Sequence, residues 1–171
     1  MQYPGGYSWF GQSVSSLFQP VTLDGAPNPA RPTAVLAVLA FCVGIGWVFH
    51  AISGGAGTRL LRKTIQVAGV GSMVYAFLVV TPMHDLMVGV ALGFFVVAVL
   101  AVFYMLGRQG RTLLLLTGLL CISGTLWNAG LYYLTPGPGF LPVVQKASTM
   151  AWVGWVLVVY YVQPQPSLKS P

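Results

Sequence analysis

Charged side chains are scarce in this chain of 171 residues: only 6% are charged, and only two of them, Asp24 and Asp85, are acidic. A soluble domain usually carries about 25% charged residues, because water must solvate its surface. Hydrophobic residues instead make up 56% of the chain, and its mean hydropathy is +0.79. The lack of charge therefore excludes an ordinary water-soluble domain and indicates an integral membrane protein.

Cysteine and histidine are equally scarce, with two residues of each. Cys42 and Cys121 lie within apolar runs and form no CxxC motif, so we predict small core-filling residues rather than a disulfide framework or a zinc site. His50 and His84 fall near opposite membrane faces, roughly 25–30 Å apart by helix rise, so they cannot ligate one haem iron together. The sequence predicts no metal and no cofactor.

Catalytic motifs are also missing, since the chain contains neither HExxH nor GxSxG. A catalytic zinc needs three protein ligands. Besides His84, the predicted outer side offers only Asp85 and Asp24 as possible ligands, without a known zinc-binding spacing. The formal charge of +6 comes from basic residues between apolar runs, which indicates membrane headgroups rather than nucleic acid as partners. A lipid-modifying enzyme with His84 as acid, base or ligand stays an alternative, but the sequence favours a protein without catalytic activity.

Five apolar segments approach the length of about 20 residues that a helix needs to cross a ~30 Å hydrocarbon core. In lipid each segment must satisfy its own backbone hydrogen bonds, so these segments are predicted to be helices. The predicted spans are 33–53, 64–80, 85–106, 112–134 and 143–162. We therefore expect an all-α integral membrane bundle of about five helices within 32–162, after an aromatic and polar segment at 1–31 and before a Pro-rich tail at 163–171.

Basic residues are distributed unequally between the two sides of this bundle. One side carries only Arg31 and Lys146, together with both aspartates. By the positive-inside rule, the N-terminal segment is predicted to lie outside the cell membrane and the C-terminal tail in the cytoplasm. The basic residues of the predicted inner side are Arg59, Arg62, Lys63, Arg108, Arg111 and Lys169.

Polar side chains outside the basic loops gather on the predicted outer side. His84 and Asp85 open the third span and could receive a headgroup or a metal ion, or form an ordinary helix start. Asn128 is placed within the fourth span, where an amide bonds a neighbouring helix or a ligand, and Lys146 could snorkel to the headgroups or attract a lipid phosphate. The candidate ligand-binding residues, with the N-terminal segment as a lid over them, are Asn28, His84, Asp85, Asn128, Gln145 and Lys146.

Gly89 and Gly93 form a GxxxG motif in the third span. Such a strip lets helix backbones approach closely, so it predicts a packing face inside the bundle or between chains. The second reading makes the chain an accessory subunit of a larger membrane complex, or one copy in a homo-oligomer. Membrane lipids are the partners that the sequence favours, and nucleic acid is not expected.

Several short motifs, taken in order, resemble a known family. They are YPGGYSW at 3–9, QSVSSL at 12–17, Asn28-Pro29 before a span, His84-Asp85 at a helix start, and Gln145-Lys146 opening the last span. This order resembles the prokaryotic membrane family called domain of unknown function 998, which is similar to the wider Frag1/DRAM/Sfk1 group of six-helix proteins. The resemblance implies a six-helix pattern, here without its first helix, and a membrane location, but no reaction. Leu17-Phe18 departs from the Leu-Gly that usually ends the family's loop, so the resemblance does not predict the conformation of this loop.

Overall fold

The computed structural model describes residue 3 and residues 5–134 and 139–163. These residues form five α-helices and two short 3₁₀ helices, and they contain no β-strand. The predicted all-α bundle is therefore confirmed, while most of the predicted Pro-rich tail lies outside the described residues. The α-helices are α1 (Arg31–Ile52), α2 (Arg59–Leu78), α3 (His84–Arg108), α4 (Thr112–Leu134) and α5 (Leu141–Val162).

The helix boundaries follow local sequence signals, and one of them differs from the prediction by more than two residues. Proline stands in the first turn of both α1 and α5, where its missing N–H leaves no backbone hydrogen bond unmade. The helix α2 begins at Arg59, five residues before the predicted start at residue 64. Thr58 causes this early start, because its side-chain oxygen accepts a hydrogen bond of 3.2 Å from the N–H of Leu61.

Four of the five helices, α1, α3, α4 and α5, are long and apolar enough to cross a membrane. The basic residues Arg59, Arg62 and Lys63 make the start of α2 less apolar. Within the described chain, α2 nevertheless packs against both α1 and α3, and its contact with α3 is the most extensive of any helix pair. Each helix contacts the next one in the chain and α5 contacts α1, so the five helices close into a ring.

The packed core occupies one end of this ring, the end at which the basic loops lie. We call it the basic end, and the opposite end, where α1, α3 and α5 begin, the aromatic end. Residues 31–41 of α1, 84–97 of α3 and 122–134 of α4 include no fully buried residue. The largest fully buried core side chains are Phe49, Ile52, Ile65, Val102, Met105, Leu106, Val156 and Val159. Cys42 and Cys121 are free and buried, as predicted.

The glycines of α4 differ in how closely neighbouring side chains approach them. A Cβ added to Gly118 would lie 2.5 Å from the Phe103 ring, and one added to Gly124 would lie 3.2 Å from the hydroxyl of Ser148. A Cβ added to Gly130 would meet nothing within 4 Å. The helix α4 is therefore tightly packed at Gly118, toward the basic end, and less tightly at Gly124, while Gly130 faces open space.

The predicted GxxxG strip makes no close approach to the part of the chain that the structure describes. A Cβ added to Gly89 or Gly93 would meet nothing within 4 Å among the described residues. Close helix contact occurs instead at Gly71, where a Cβ would lie 2.8 Å from the Phe94 ring, and at Gly69, where it would overlap Phe49. Packing of the Gly89/Gly93 strip against another chain stays a prediction.

Candidate functional site

Residues 5–30, which we call the lid, precede α1 and pack at the aromatic end. They combine turns with a short 3₁₀ helix, Val14–Phe18. Gly5, Gly6 and Gly25 have φ values of +72°, +80° and +86°, a region that residues with a Cβ rarely adopt. These glycines allow the tight turns that fold the lid back on itself.

Asn28 and Arg31 hold the lid against the start of α1. Asn28 is 7% exposed, and its amide nitrogen donates hydrogen bonds to the carbonyls of Leu17 (3.1 Å) and Gln19 (3.0 Å). Arg31 Nε donates a hydrogen bond of 2.9 Å to the carbonyl of Phe18. The predicted ligand-binding residue Asn28 therefore satisfies the carbonyls at the end of the 3₁₀ helix and fixes the base of the lid.

Lys146 holds the lid against the start of α5. Its side chain is 4% exposed, and Nζ donates hydrogen bonds to the carbonyls of Trp9 (2.5 Å) and Gln12 (2.6 Å). Nζ also lies 5.3 Å from the ring centroid of Tyr7 and 5.0 Å from that of Trp9. Carbonyl oxygens and aromatic faces thus take the place of a carboxylate around this buried cation.

Neither of the chain's two acidic side chains neutralises Lys146 in the described residues. Asp24 accepts a hydrogen bond from the Thr22 hydroxyl within the lid, and Asp85 pairs with His84. The ammonium group of Lys146 is therefore buried beneath the lid. A lysine that snorkels would instead extend its ammonium group to the lipid headgroups.

Three buried polar atoms have no hydrogen-bond partner among the described residues: Tyr3 Oη, Asn128 Oδ1 and Gln145 Oε1. Gln145 directly precedes Lys146, and the contact between Gly124 and Ser148 places Asn128 at a similar level on the antiparallel helix α4. The Tyr3 ring packs edge-on against Tyr7, with centroids 6.1 Å apart. All three residues therefore belong to the aromatic end, Tyr3 next to the lid and Asn128 and Gln145 at a similar level on α4 and α5.

Such unpaired atoms are rare, because a buried polar group without a partner costs about 1–3 kcal/mol. The amides of Asn128 and Gln145 were predicted as ligand contacts, and Tyr3 was not. The tyrosine adds a phenolic hydroxyl that could donate or accept a hydrogen bond. The three groups thus include both hydrogen-bond donors and acceptors.

His84 and Asp85 stand apart from the lid at the start of α3. His84 Nδ1 and Asp85 Oδ1 are 3.0 Å apart, and the two side chains are 33% and 90% exposed. Met83 is the N-cap residue, and Asp85 lies in the first turn of α3, where a carboxylate stabilises the helix dipole. In the described part of the chain, no group of three His, Cys, Asp or Glu residues could hold a metal ion.

Two titratable groups of the lid have shifted pKa values. Burial raises the pKa of Tyr7 above 10.0, and the neighbouring Tyr3 adds to this shift. The hydrogen bond from the Thr22 side chain is the main reason that the pKa of Asp24 falls below 3.8, and backbone N–H groups contribute further. The folded lid therefore favours a neutral Tyr7 and an ionised Asp24.

A second polar cluster, at the basic end, is fully paired and was not predicted. The amides of Gln109 and Gln163 donate hydrogen bonds to each other at 3.2 Å and 3.1 Å, and Gln109 also donates to the carbonyl of Gly55 at 3.2 Å. These bonds join the ends of α3 and α5 to the connection between α1 and α2. Gln109 and Gln163 are 54 positions apart, so no local sequence pattern predicts that their side chains pair.

No family model, curated protein or solved structure matches this chain. The resemblance to the family called domain of unknown function 998 therefore stays a prediction. The geometry of the described residues is what indicates a function.

Proposed function

We propose that this chain is a multi-pass membrane protein that binds the polar headgroup of a lipid at its aromatic end, without catalysing a reaction. The three buried polar atoms without partners in the described chain, Tyr3 Oη, Asn128 Oδ1 and Gln145 Oε1, carry this proposal. A ligand that hydrogen-bonds them would recover the cost of leaving them unpaired.

The chemistry of the three groups defines the kind of headgroup that fits. The side-chain oxygens of Asn128 and Gln145 accept hydrogen bonds, so the ligand must present donors such as hydroxyl or ammonium groups. The helix surfaces at the aromatic end, where α1, α3 and α4 bury no residue fully, give apolar surface for the acyl chains. If the positive-inside rule sets the orientation, the lipid comes from the outer leaflet.

We expect a ligand to enter the site when the lid moves away from α5. Lys146 fastens the lid through the carbonyls of Trp9 and Gln12, so breaking two hydrogen bonds releases this side of the lid from α5. Asn28 and Arg31 keep the other side attached to α1. We therefore expect the lid to open about its connection to α1.

The alternative functions have weaker support. A lipid-modifying enzyme would use His84, whose exposed position offers no enclosure in which water is excluded from a reaction. An accessory subunit would use the Gly89/Gly93 strip, which has the open space for a partner helix but nothing that selects one.

Native mass spectrometry of the full chain in mild detergent, with identification of the retained lipids, tests the proposal. We expect wild type to retain a lipid that the double variant Asn128→Leu/Gln145→Leu loses. The matched control is His84→Ala/Asp85→Ala, which alters two polar residues at the same end and should retain the lipid. Thermal unfolding should show that the leucine variant folds, because replacing unpaired polar groups by apolar ones is close to neutral.

Two outcomes would contradict this site. Equal lipid occupancy in wild type and the leucine variant would remove Asn128 and Gln145 from it. Loss of the lipid only in the His84/Asp85 variant would move the site to the exposed start of α3.

A further inference from the structure

A groove of about 610 Å³ runs along the outside of the bundle between α2 and α3. Its volume lies within the range of about 300–1,000 Å³ typical of small-molecule sites. Apart from Lys63 and Thr64, its wall is apolar, formed by residues that include Val67, Val90 and Val97. The groove faces the surroundings of the bundle and is separate from the lid.

Gly93 leaves space in this groove, and Gly71 sets the position of Phe94, which forms part of its wall. The missing side chain of Gly71 lets the Phe94 ring press against α2, where it also stacks on Tyr75 with a centroid distance of 5.4 Å. Gly93 lines the groove, and a Cβ there would meet nothing within 4 Å. A larger side chain at Gly93 would therefore enter the groove without striking the rest of the chain.

The groove has a cation at the end that points toward the basic loops. Lys63 lies in the second turn of α2, next to Arg62 and one turn after Arg59. The chain has only two acidic side chains. One of them, Asp24, lies in the lid, and the other, Asp85, lies in the first turn of α3. These basic residues therefore have no acidic side chain of this chain at their own end of the bundle.

We propose that the groove binds a phospholipid with an anionic headgroup, with one acyl chain along Gly93 and Phe94 and the phosphate beside Lys63. The apolar stem of Lys63 can lie along the groove while its ammonium reaches the headgroup level. Clustered Lys and Arg next to a membrane helix attract anionic lipids. This site lies on the outer face of α2 and α3, whereas the lid is held by α1 and α5, and it does not depend on the proposed function.

The test is a titration of the purified full chain in mild detergent with phosphatidylglycerol, and separately with phosphatidylcholine carrying the same acyl chains. Native mass spectrometry counts the bound lipids. Wild type should bind phosphatidylglycerol more tightly, and Lys63→Gln should weaken this binding about fivefold while hardly changing the binding of phosphatidylcholine. Gly93→Leu should weaken the binding of both lipids, because it fills the groove.

Two control variants distinguish binding in the groove from a general effect of charge or of side-chain size. Arg111→Gln removes an exposed cation that does not line the groove, and Gly89→Leu alters the other glycine of the GxxxG strip, which also lies outside it. Neither should change the binding of phosphatidylglycerol. The preference should also persist in Asn128→Leu/Gln145→Leu, since that variant alters only the aromatic end.

Three results would overturn the proposal. Equal affinity for the two lipids would show that the groove does not select an anionic headgroup. Equal losses of phosphatidylglycerol binding in Lys63→Gln and Arg111→Gln would show a general effect of charge. Equal effects of Gly89→Leu and Gly93→Leu, together with a change in oligomeric state, would identify a helix of a second chain as the occupant of the strip.

Discussion

The two ends of the bundle are built from the same five helices but differ in how fully their interior side chains are buried. At the basic end, Phe49, Met105 and Trp155 belong to one buried core, and Gly118 brings α4 against the rings of Phe103 and Trp155. At the aromatic end, residues 31–41, 84–97 and 122–134 include no fully buried residue, and the lid packs against α1 and α5. The basic end therefore supplies most of the packing, which leaves the aromatic end free to accommodate a ligand.

Polar groups show the same contrast. The buried amide of Gln163 at the basic end is paired with Gln109. The amide oxygens of Asn128 and Gln145 at the aromatic end are buried without a partner in the described chain. Because unmade hydrogen bonds cost free energy, they persist most readily where a ligand completes them.

The largest expected effect tests the packing difference within one helix. Gly118→Ala should reduce the free energy of unfolding by about 3 kcal/mol, because the new methyl group strikes two aromatic rings. Gly130→Ala in the same helix should be neutral or stabilise by up to about 1 kcal/mol, because alanine favours helix and nothing lies within 4 Å. Denaturant unfolding in detergent, followed by tryptophan fluorescence, measures both. Similar losses for the two variants would contradict the packing difference between the ends.

The second largest effect tests whether the lid can lose stability without a change in the core. Lys146→Met keeps the side-chain length but removes two charge-assisted hydrogen bonds, so we expect the lid to lose about 2 kcal/mol of local stability. Hydrogen exchange at the amides of Gln12 and Ser16 should accelerate about 30-fold, while exchange in the core of α3 stays unchanged. Lys146→Arg, which keeps the charge and donors, should retain more of the protection. Unchanged exchange in the methionine variant would show that Lys146 does not fasten the lid.

A smaller effect concerns the polar contact at the basic end. Gln109→Ala leaves the buried amide of Gln163 without its side-chain partner and should lower the free energy of unfolding by about 1 kcal/mol. Exchange at the lid amides should not respond, because the amide pair lies at the other end. Denaturant unfolding and hydrogen exchange measure the two quantities, and faster lid exchange would mean that the ends are coupled.

The smallest effect is a titration within the lid. Thr22→Val removes the main cause of the lowered pKa of Asp24, so that pKa should rise toward 3.8. A depressed pKa stabilises the folded lid above the unfolded value and loses this contribution as the pH falls through the folded value. Asp24 in the folded lid should therefore become protonated at a higher pH in Thr22→Val than in Thr22→Ser, which keeps the hydroxyl, and it should contribute less to the acid dependence of lid stability. Carbon NMR of the Asp24 carboxyl group measures the shift, and identical titrations would exclude the role of Thr22.

The helices were largely predictable because hydropathy and span length are local properties of the sequence. The predicted fourth span, 112–134, has the same bounds as α4, and the early start of α2 reflects only a cap at Thr58. The candidate site was less predictable. The alternation of spans predicted that Asn128, Gln145 and Lys146 would share one end, but ligand binding by them stays a prediction.

Composition and hydrophobic runs by themselves determined the membrane class, the all-α architecture and the two unequal ends, because each depends on residues that are close together in the chain. Only the tertiary structure decided what the polar residues contact. Lys146 meets the carbonyl of Trp9 across 137 positions of sequence, and Asn28 holds a lid rather than facing an open site. Such contacts depend on how distant helices and loops pack together, which no local pattern records.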